Sequence, residues 1–116
     1  MNDKKILFLD DERQYVDGID SFLKNFGYEV LATSVPADAL KIIAESKPAV
    51  VFFDFKMPDM EGDQFFKKAK AIHSDAQYYL VSAYRNDATI EYFKGLGVND
   101  VIMKPIDLNE ILKIIK

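Results

Sequence analysis

The sequence contains no cysteine, which excludes disulfides, thiolate metal sites and thiol nucleophiles and is compatible with a reducing compartment. Histidine occurs once, at His73 in the segment AIHSDA, where no second ligand type lies close in sequence, and it reads as a surface residue. Long apolar runs are also missing. The amino-terminal run Ile6 to Leu9 is too short for a signal sequence, and nothing approaches the ~20 residues of a membrane span. The expectation is a soluble cytoplasmic domain without a membrane contact. Basic residues are outnumbered, with 15 Lys and Arg against 19 Asp and Glu, a net charge of −4 and a pI near 4.9. With no cationic surplus to displace counterions from phosphates, direct nucleic-acid binding is not expected. The runs KKAK at 67–70 and KGLG from Lys94 read as solvated helix faces. Finally, the glycines Gly18, Gly27, Gly62, Gly95 and Gly97 are dispersed, so a glycine-rich nucleotide loop is excluded.

What is present is an ordinary globular composition, 49% hydrophobic and 29% charged over 116 residues, enough to bury a core in one domain spanning 1–116. A domain of this length cut from a longer multidomain protein is an equal expectation. Short apolar runs at Ile6 to Leu9, Tyr28 to Ala32, Ala49 to Phe53, Tyr78 to Val81 and Val101 to Met103 read as strands, several apolar throughout, as parallel strands covered on both faces are. Between them the spacing becomes helical. Val16, Ile19, Phe22, Leu23 and Phe26 form one stripe of a helix from Glu12 to Phe26 that Gly27 would stop. Further helices are expected at Pro36 to Ser46 with Ser34 as N-cap, at Asp63 to Ile72, at Asp87 to Leu96 ending in Gly97, and from Asp107, which with Glu110 forms a capping box. Five βα units predict an α/β, doubly wound, five-stranded parallel sheet of order 2-1-3-4-5, flavodoxin-like, with ligands beyond the carboxyl ends of strands 1 and 3.

The stretch ILFLDDE drives an apolar strand into Asp10, Asp11 and Glu12. Adjacent carboxylates repel by roughly 1 kcal/mol at 4 Å in water and about 4 kcal/mol at a partly buried site, so the crowding asks for a cation. Strand 3 ends in Asp54, strand 4 in Ser82, and strand 5 in Lys104 and Pro105. Three carboxylates without His or Cys make a hard oxygen site suited to Mg2+, with Mn2+ as the alternative. Mg2+ completes its shell with phosphate oxygens, and Lys104 and Ser82 can bind the remaining oxygens of a phosphoryl group. With a carboxylate as the available nucleophile, the expected product is an aspartyl phosphate.

FLDDE, VFFDFKMPDMEG, VSAY and VIMKPID, at four strand ends in order, together resemble the receiver domain of two-component response regulators over essentially the whole chain. The resemblance implies a signalling domain that catalyses only its own phosphorylation and dephosphorylation. Asp54 would accept phosphate from a sensor histidine kinase or phosphotransfer protein. Asp10, Asp11, Asp54 and the backbone carbonyl of Lys56 would hold the metal, the Ser82 hydroxyl would move toward the phosphoryl group, and Lys104 would pair with it. A cis Lys104-Pro105 peptide is implied, and Met57, Pro58 and Gly62 match the turn after the acceptor. An effector domain, a partner or a second copy in a homodimer would meet the face of helix 4, strand 5 and helix 5.

Two positions depart from or modulate that pattern. Receivers usually carry Tyr or Phe three residues before the Lys, where this chain has Val101. A β-branched side chain has few rotamers, so output is expected through backbone shifts after strand 4, with Tyr84 or Tyr92 standing in for the ring. The Lys56 side chain is expected to pair with Asp54 or Glu12 and to alter the acyl phosphate's lifetime. Two other readings remain open: a phosphorylation-independent interaction module of the same fold, and a haloacid-dehalogenase-type phosphatase. The latter normally has D-x-D after its first strand and a cap domain, for which 116 residues leave no room.

Overall fold

The computed structural model describes residues 4–56, 60–83 and 86–115, the side chains of 13 and 15 aside. Along the chain run β1 (Lys5–Leu9), α1 (Arg13–Lys24), β2 (Glu29–Thr33), α2 (Pro36–Ser46), β3 (Val50–Asp54), α3 (Gly62–Ile72), β4 (Gln77–Ser82), α4 (Asp87–Leu96), β5 (Asp100–Met103) and α5 (Leu108–Ile115). The strands form one parallel sheet in the order β2-β1-β3-β4-β5, as the sequence predicts.

Successive strand residues point to opposite faces, and the two cores follow that period. Leu7, Leu9, Val51, Phe53, Tyr78 and Leu80 face α2, α3 and α4 through Ala39, Ile43, Phe65, Phe66, Ala69 and Phe93. Ile6, Phe8, Val50, Phe52, Val81 and Ile102 face α1 and α5 through Val16, Ile19, Leu23, Ile111 and Ile115. Aromatic rings hold the central strands on both sides: Phe8 stacks on Phe52 at 4.6 Å, and Phe53 lies 5.4 Å from Phe65 and 6.3 Å from Phe93. Fully burying such a side chain contributes roughly 1.5–3 kcal/mol. The sheet is therefore rigid where its carboxyl ends carry polar residues.

Helix ends differ from the sequence reading in three places. α1 stops at Lys24, and Phe26, expected on the inward stripe, lies beyond it, 47% exposed and packed on the Phe22 ring at 5.3 Å. The intervening residues form a turn, with Phe26 N–H bonded to the Leu23 carbonyl, and Gly27 takes φ +86° one residue later, as a stop glycine should. Ser34 does not cap α2: Val35 occupies that position, and its N–H donates to Thr33 Oγ1 at 3.1 Å. Ile72, counted on the inner stripe of α3, is the helix's last residue and is 37% exposed. Asp107 does cap α5, accepting from the Asn109 N–H at 2.8 Å.

Candidate functional site

The switch point between β1 and β3 brings the strand-end acids together. Asp10 follows β1, and its backbone N–H donates to the Thr33 carbonyl at 3.1 Å, which extends the sheet pairing by one residue. Its side chain is turned inward, 8% exposed, and Oδ1 accepts the Glu12 N–H at 3.0 Å. Asp54 closes β3 in register with Val81 of β4, and its Oδ1 accepts the Lys56 N–H at 3.2 Å. Asp11 is exposed beside them. Oxygens of Asp10, Asp11 and Asp54 all lie within 4.8 Å of one another. An all-oxygen carboxylate set at that spacing fits a hard divalent ion such as Mg2+.

Lys104 enters from the far side. β5 pairs with β4 so that Ser82 opposes Met103, and the Lys104 N–H bonds the Ser82 carbonyl at 2.8 Å. From there its side chain, 11% exposed, crosses the end of β3 and places Nζ 2.9 Å from Asp10 Oδ2, 3.0 Å from Asp54 Oδ2 and 3.0 Å from Glu12 Oε1. Burial alone would lower the lysine's pKa, but the hydrogen bonds it donates to Asp10, Asp54 and Glu12 outweigh it and hold the ammonium well above its usual range. The lysine is therefore charged at neutral pH, and the repulsion inherent in DDE is offset across the sheet. The peptide Lys104-Pro105 is cis, as the resemblance implies.

The remaining residues singled out in the sequence fall around this centre. Ser82 ends β4 and is 8% exposed. Lys56 is exposed and contributes its backbone N–H to Asp54. Val101 is partly buried in β5, in register with Leu80 and packed against the core beneath α3 and α4. Gly62 opens α3 under the end of β3: a Cβ there would come within 3.2 Å of the Phe55 carbonyl oxygen and 3.4 Å of that of Asp54. Tyr92, on α4, is 48% exposed and donates its hydroxyl to Asp63 Oδ2 of α3 at 2.9 Å. Pro105 is exposed. Tyr84, Met57 and Pro58 lie outside the described residues. His73 is half-buried, its Nε2 bonded to the Pro48 carbonyl at 3.0 Å, so it is a tie between the α2–β3 connection and α3 rather than a surface residue. The role of Glu12 as a Lys104 partner escaped the sequence reading, and its one trace there is the third acid in the DDE run.

The family description of the response regulator receiver domain matches residues 6–116. The chain is similar to sporulation initiation phosphotransferase F of Bacillus subtilis, 28% identical over 116 residues that cover all of this chain and 94% of that protein. It is also similar to response regulator SaeR of Staphylococcus epidermidis, 29% identical over 107 residues, 92% of this chain but 46% of that protein. The chain thus spans nearly all of one relative and under half of the other. Among solved structures, a receiver domain protein (CheY-like) from Methanospirillum hungatei superposes with a TM-score of 0.90 at 28% identity, covering 98% of this chain and 91% of that one. A response regulator from Burkholderia pseudomallei, solved with a phosphorylated aspartic acid, calcium ion and citrate, shares the fold at 22% identity, with a TM-score of 0.89 over 98% of this chain and 67% of that one. Among the described residues no helix is long and apolar enough to cross a membrane.

Proposed function

Because the chain belongs to the response regulator receiver domain family, the phospho-accepting switches of two-component systems, we propose that Asp54 is its phosphoryl acceptor. The observation that carries this reading is the convergence of Lys104 on Asp54 and Asp10, at 3.0 and 2.9 Å, beside a third carboxylate. Asp10 and Asp54 carry the same donors, a backbone N–H at one oxygen and Lys104 at the other, so it is the resemblance of VFFDFKMPDMEG after β3 to the family's acceptor segment that favours Asp54, and Asp11 is exposed beside the centre. Asp54 stands at the winding reversal with Lys104 at one oxygen and the Lys56 N–H at the other, where an incoming phosphorus meets fixed donors rather than bulk water.

Asp10, Asp11 and Asp54, with the Lys56 carbonyl, would hold Mg2+. A bound Mg2+ supplies positive charge to the oxygens of a transferring phosphoryl group. The chain's own residues do the rest. Lys104 moves its ammonium from carboxylate to phosphoryl oxygens without changing protonation, since its neighbours keep it charged. Ser82, held at the end of β4, donates its hydroxyl to the same group and carries the displacement into the segment that leads to α4. The donor is a histidine kinase or phosphotransfer protein, and the output face is α4, β5 and α5.

The test is intact mass after exposure to acetyl phosphate, and NMR after addition of beryllofluoride, with and without Mg2+, on wild type and Asp54→Asn. A Mg2+-dependent adduct lost in the variant supports the reading. An adduct that survives Asp54→Asn moves the acceptor elsewhere. No adduct under any condition leaves a constitutive interaction module, the reading for which the non-aromatic Val101 leaves room.

A further inference from the structure

Glu12 is bound to the centre in two different ways. Its backbone is fixed: the N–H donates to Asp10 Oδ1 at 3.0 Å and the carbonyl accepts the Val16 N–H at 3.1 Å as α1 begins. Its side chain is 59% exposed, yet Oε1 reaches Lys104 Nζ at 3.0 Å, across 92 positions of sequence. The other two acids on that ammonium have side chains only 5% and 13% exposed. An ammonium has three donors and no more. Among the described residues three carboxylates share that ammonium, and the outermost can exchange its partner for water at least cost.

Resting on the acceptor role of Asp54, we propose that Glu12 is a rival anion for Lys104, which an incoming phosphoryl group must displace, and that its charge slows phosphorylation. It is a positioning residue, acting through Lys104 and not on the reacting atoms. With acetyl phosphate as donor, an Asp54 carboxylate oxygen forms a bond to phosphorus as the bond from phosphorus to the acetyl oxygen breaks. The electron pair leaves on acetate, and no proton moves. The group that arrives is a dianion needing the donor that Glu12 holds, and the Glu12 carboxylate stands in its path as a like charge. The oxygen cluster within 4.8 Å comprises Asp10, Asp11 and Asp54, and Glu12 stands outside it, so its effect is separable from metal binding.

The test compares wild type with Glu12→Gln, which keeps the shape and removes the charge. Phosphorylation by acetyl phosphate is followed by intact mass, and beryllofluoride affinity by NMR, both at Mg2+ high enough that raising it further changes neither. Glu12→Gln should phosphorylate about threefold faster and bind beryllofluoride about threefold more tightly, the scale of one exposed ion pair. The ratio should fall toward one as salt is raised, because screening removes the charge effect, whereas a packing effect would persist. Equal or slower phosphorylation in Glu12→Gln, with wild type labelled normally at Asp54, overturns the rival role and leaves the acceptor reading intact. Failure of wild type to label at Asp54 overturns both.

Discussion

The Lys104 ammonium lies 3.0 Å from Asp54 Oδ2 although the two residues are 50 positions apart. That single cation neutralises acids from the ends of both β1 and β3. Replacing it with Lys104→Met leaves Asp10 and Asp54 facing each other with little solvent, and a loss of about 2–4 kcal/mol at neutral pH is expected, since breaking a buried ion pair strands the surviving charge. Mg2+ replaces the missing charge, so it should stabilise the variant more than wild type. Urea unfolding with and without Mg2+ measures this. Equal stabilisation of the two proteins would mean that Lys104 and the metal do not share these carboxylates.

Gly62 places the first turn of α3 against the end of β3. Its missing Cβ would meet the Phe55 carbonyl oxygen at 3.2 Å, and a backbone atom on a packed strand end cannot yield as a flexible side chain can. Gly62→Ala should therefore cost about 1 kcal/mol despite the better helix propensity of alanine. It should also shift the Asp54 and Phe55 amide resonances. A more stable variant with unmoved resonances would contradict the packing argument.

Burial pushes the Tyr78 hydroxyl up to about 12, against about 10 in an unfolded chain. Between those values the unfolded chain has released a proton that the folded chain retains, so stability falls as pH rises across that window, by about 2–3 kcal/mol in all. Lys104, also raised, acts in the same direction above its unfolded value near 10.4. Tyr78→Phe removes the first contribution. At neutral pH it should lose about 1 kcal/mol, because the hydroxyl bonds the Ala69 and His73 carbonyls at 3.1 and 2.7 Å. Thermal unfolding from pH 8 to 11 should show a shallower alkaline decline in the variant, and an unchanged decline would assign it to other groups.

The sheet and the acid cluster were legible because both are short-range signals. Strands buried on two faces must be apolar throughout, and the acids that end them follow immediately in sequence, as LFLDDE and VFFDF do. Helix termini were less legible. Phe26 continues the stripe of Phe22 and Leu23 in spacing, but the chain turns at Lys24, where a local Phe26 to Leu23 bond replaces a helical one. What periodicity could not supply were the side-chain pairs created by topology. Glu12 and Lys104 follow strands β1 and β5, which do not touch because β3 and β4 lie between them, and only a long side chain reaching across the sheet's end joins them. Asp63 and Tyr92 are likewise 29 positions apart on different helices.

That last pair gives the prediction most relevant to signalling. Val101 is partly buried against the core and has little rotameric freedom, so the inward swing of a ring at this position is not available. Tyr92 supplies a different link: its hydroxyl bonds Asp63 Oδ2, which holds its pKa above the usual value, and its ring lines a cavity of about 690 Å3 with Phe55, Gly62, Thr89 and Phe93. The cavity lies between Phe55 and the first turn of α3 on one side and α4 on the other, and the Tyr92–Asp63 bond joins α3 to α4 beside it. Tyr92→Phe breaks an exposed bond and should change stability by no more than about 0.5 kcal/mol. If the bridge transmits, beryllofluoride with Mg2+ should shift the amides of α3 and α4 together in wild type, and the α4 shifts should shrink in Tyr92→Phe while those at Asp54 remain. Identical α4 shifts in the two proteins would assign transmission to the backbone of the β4–α4 connection alone.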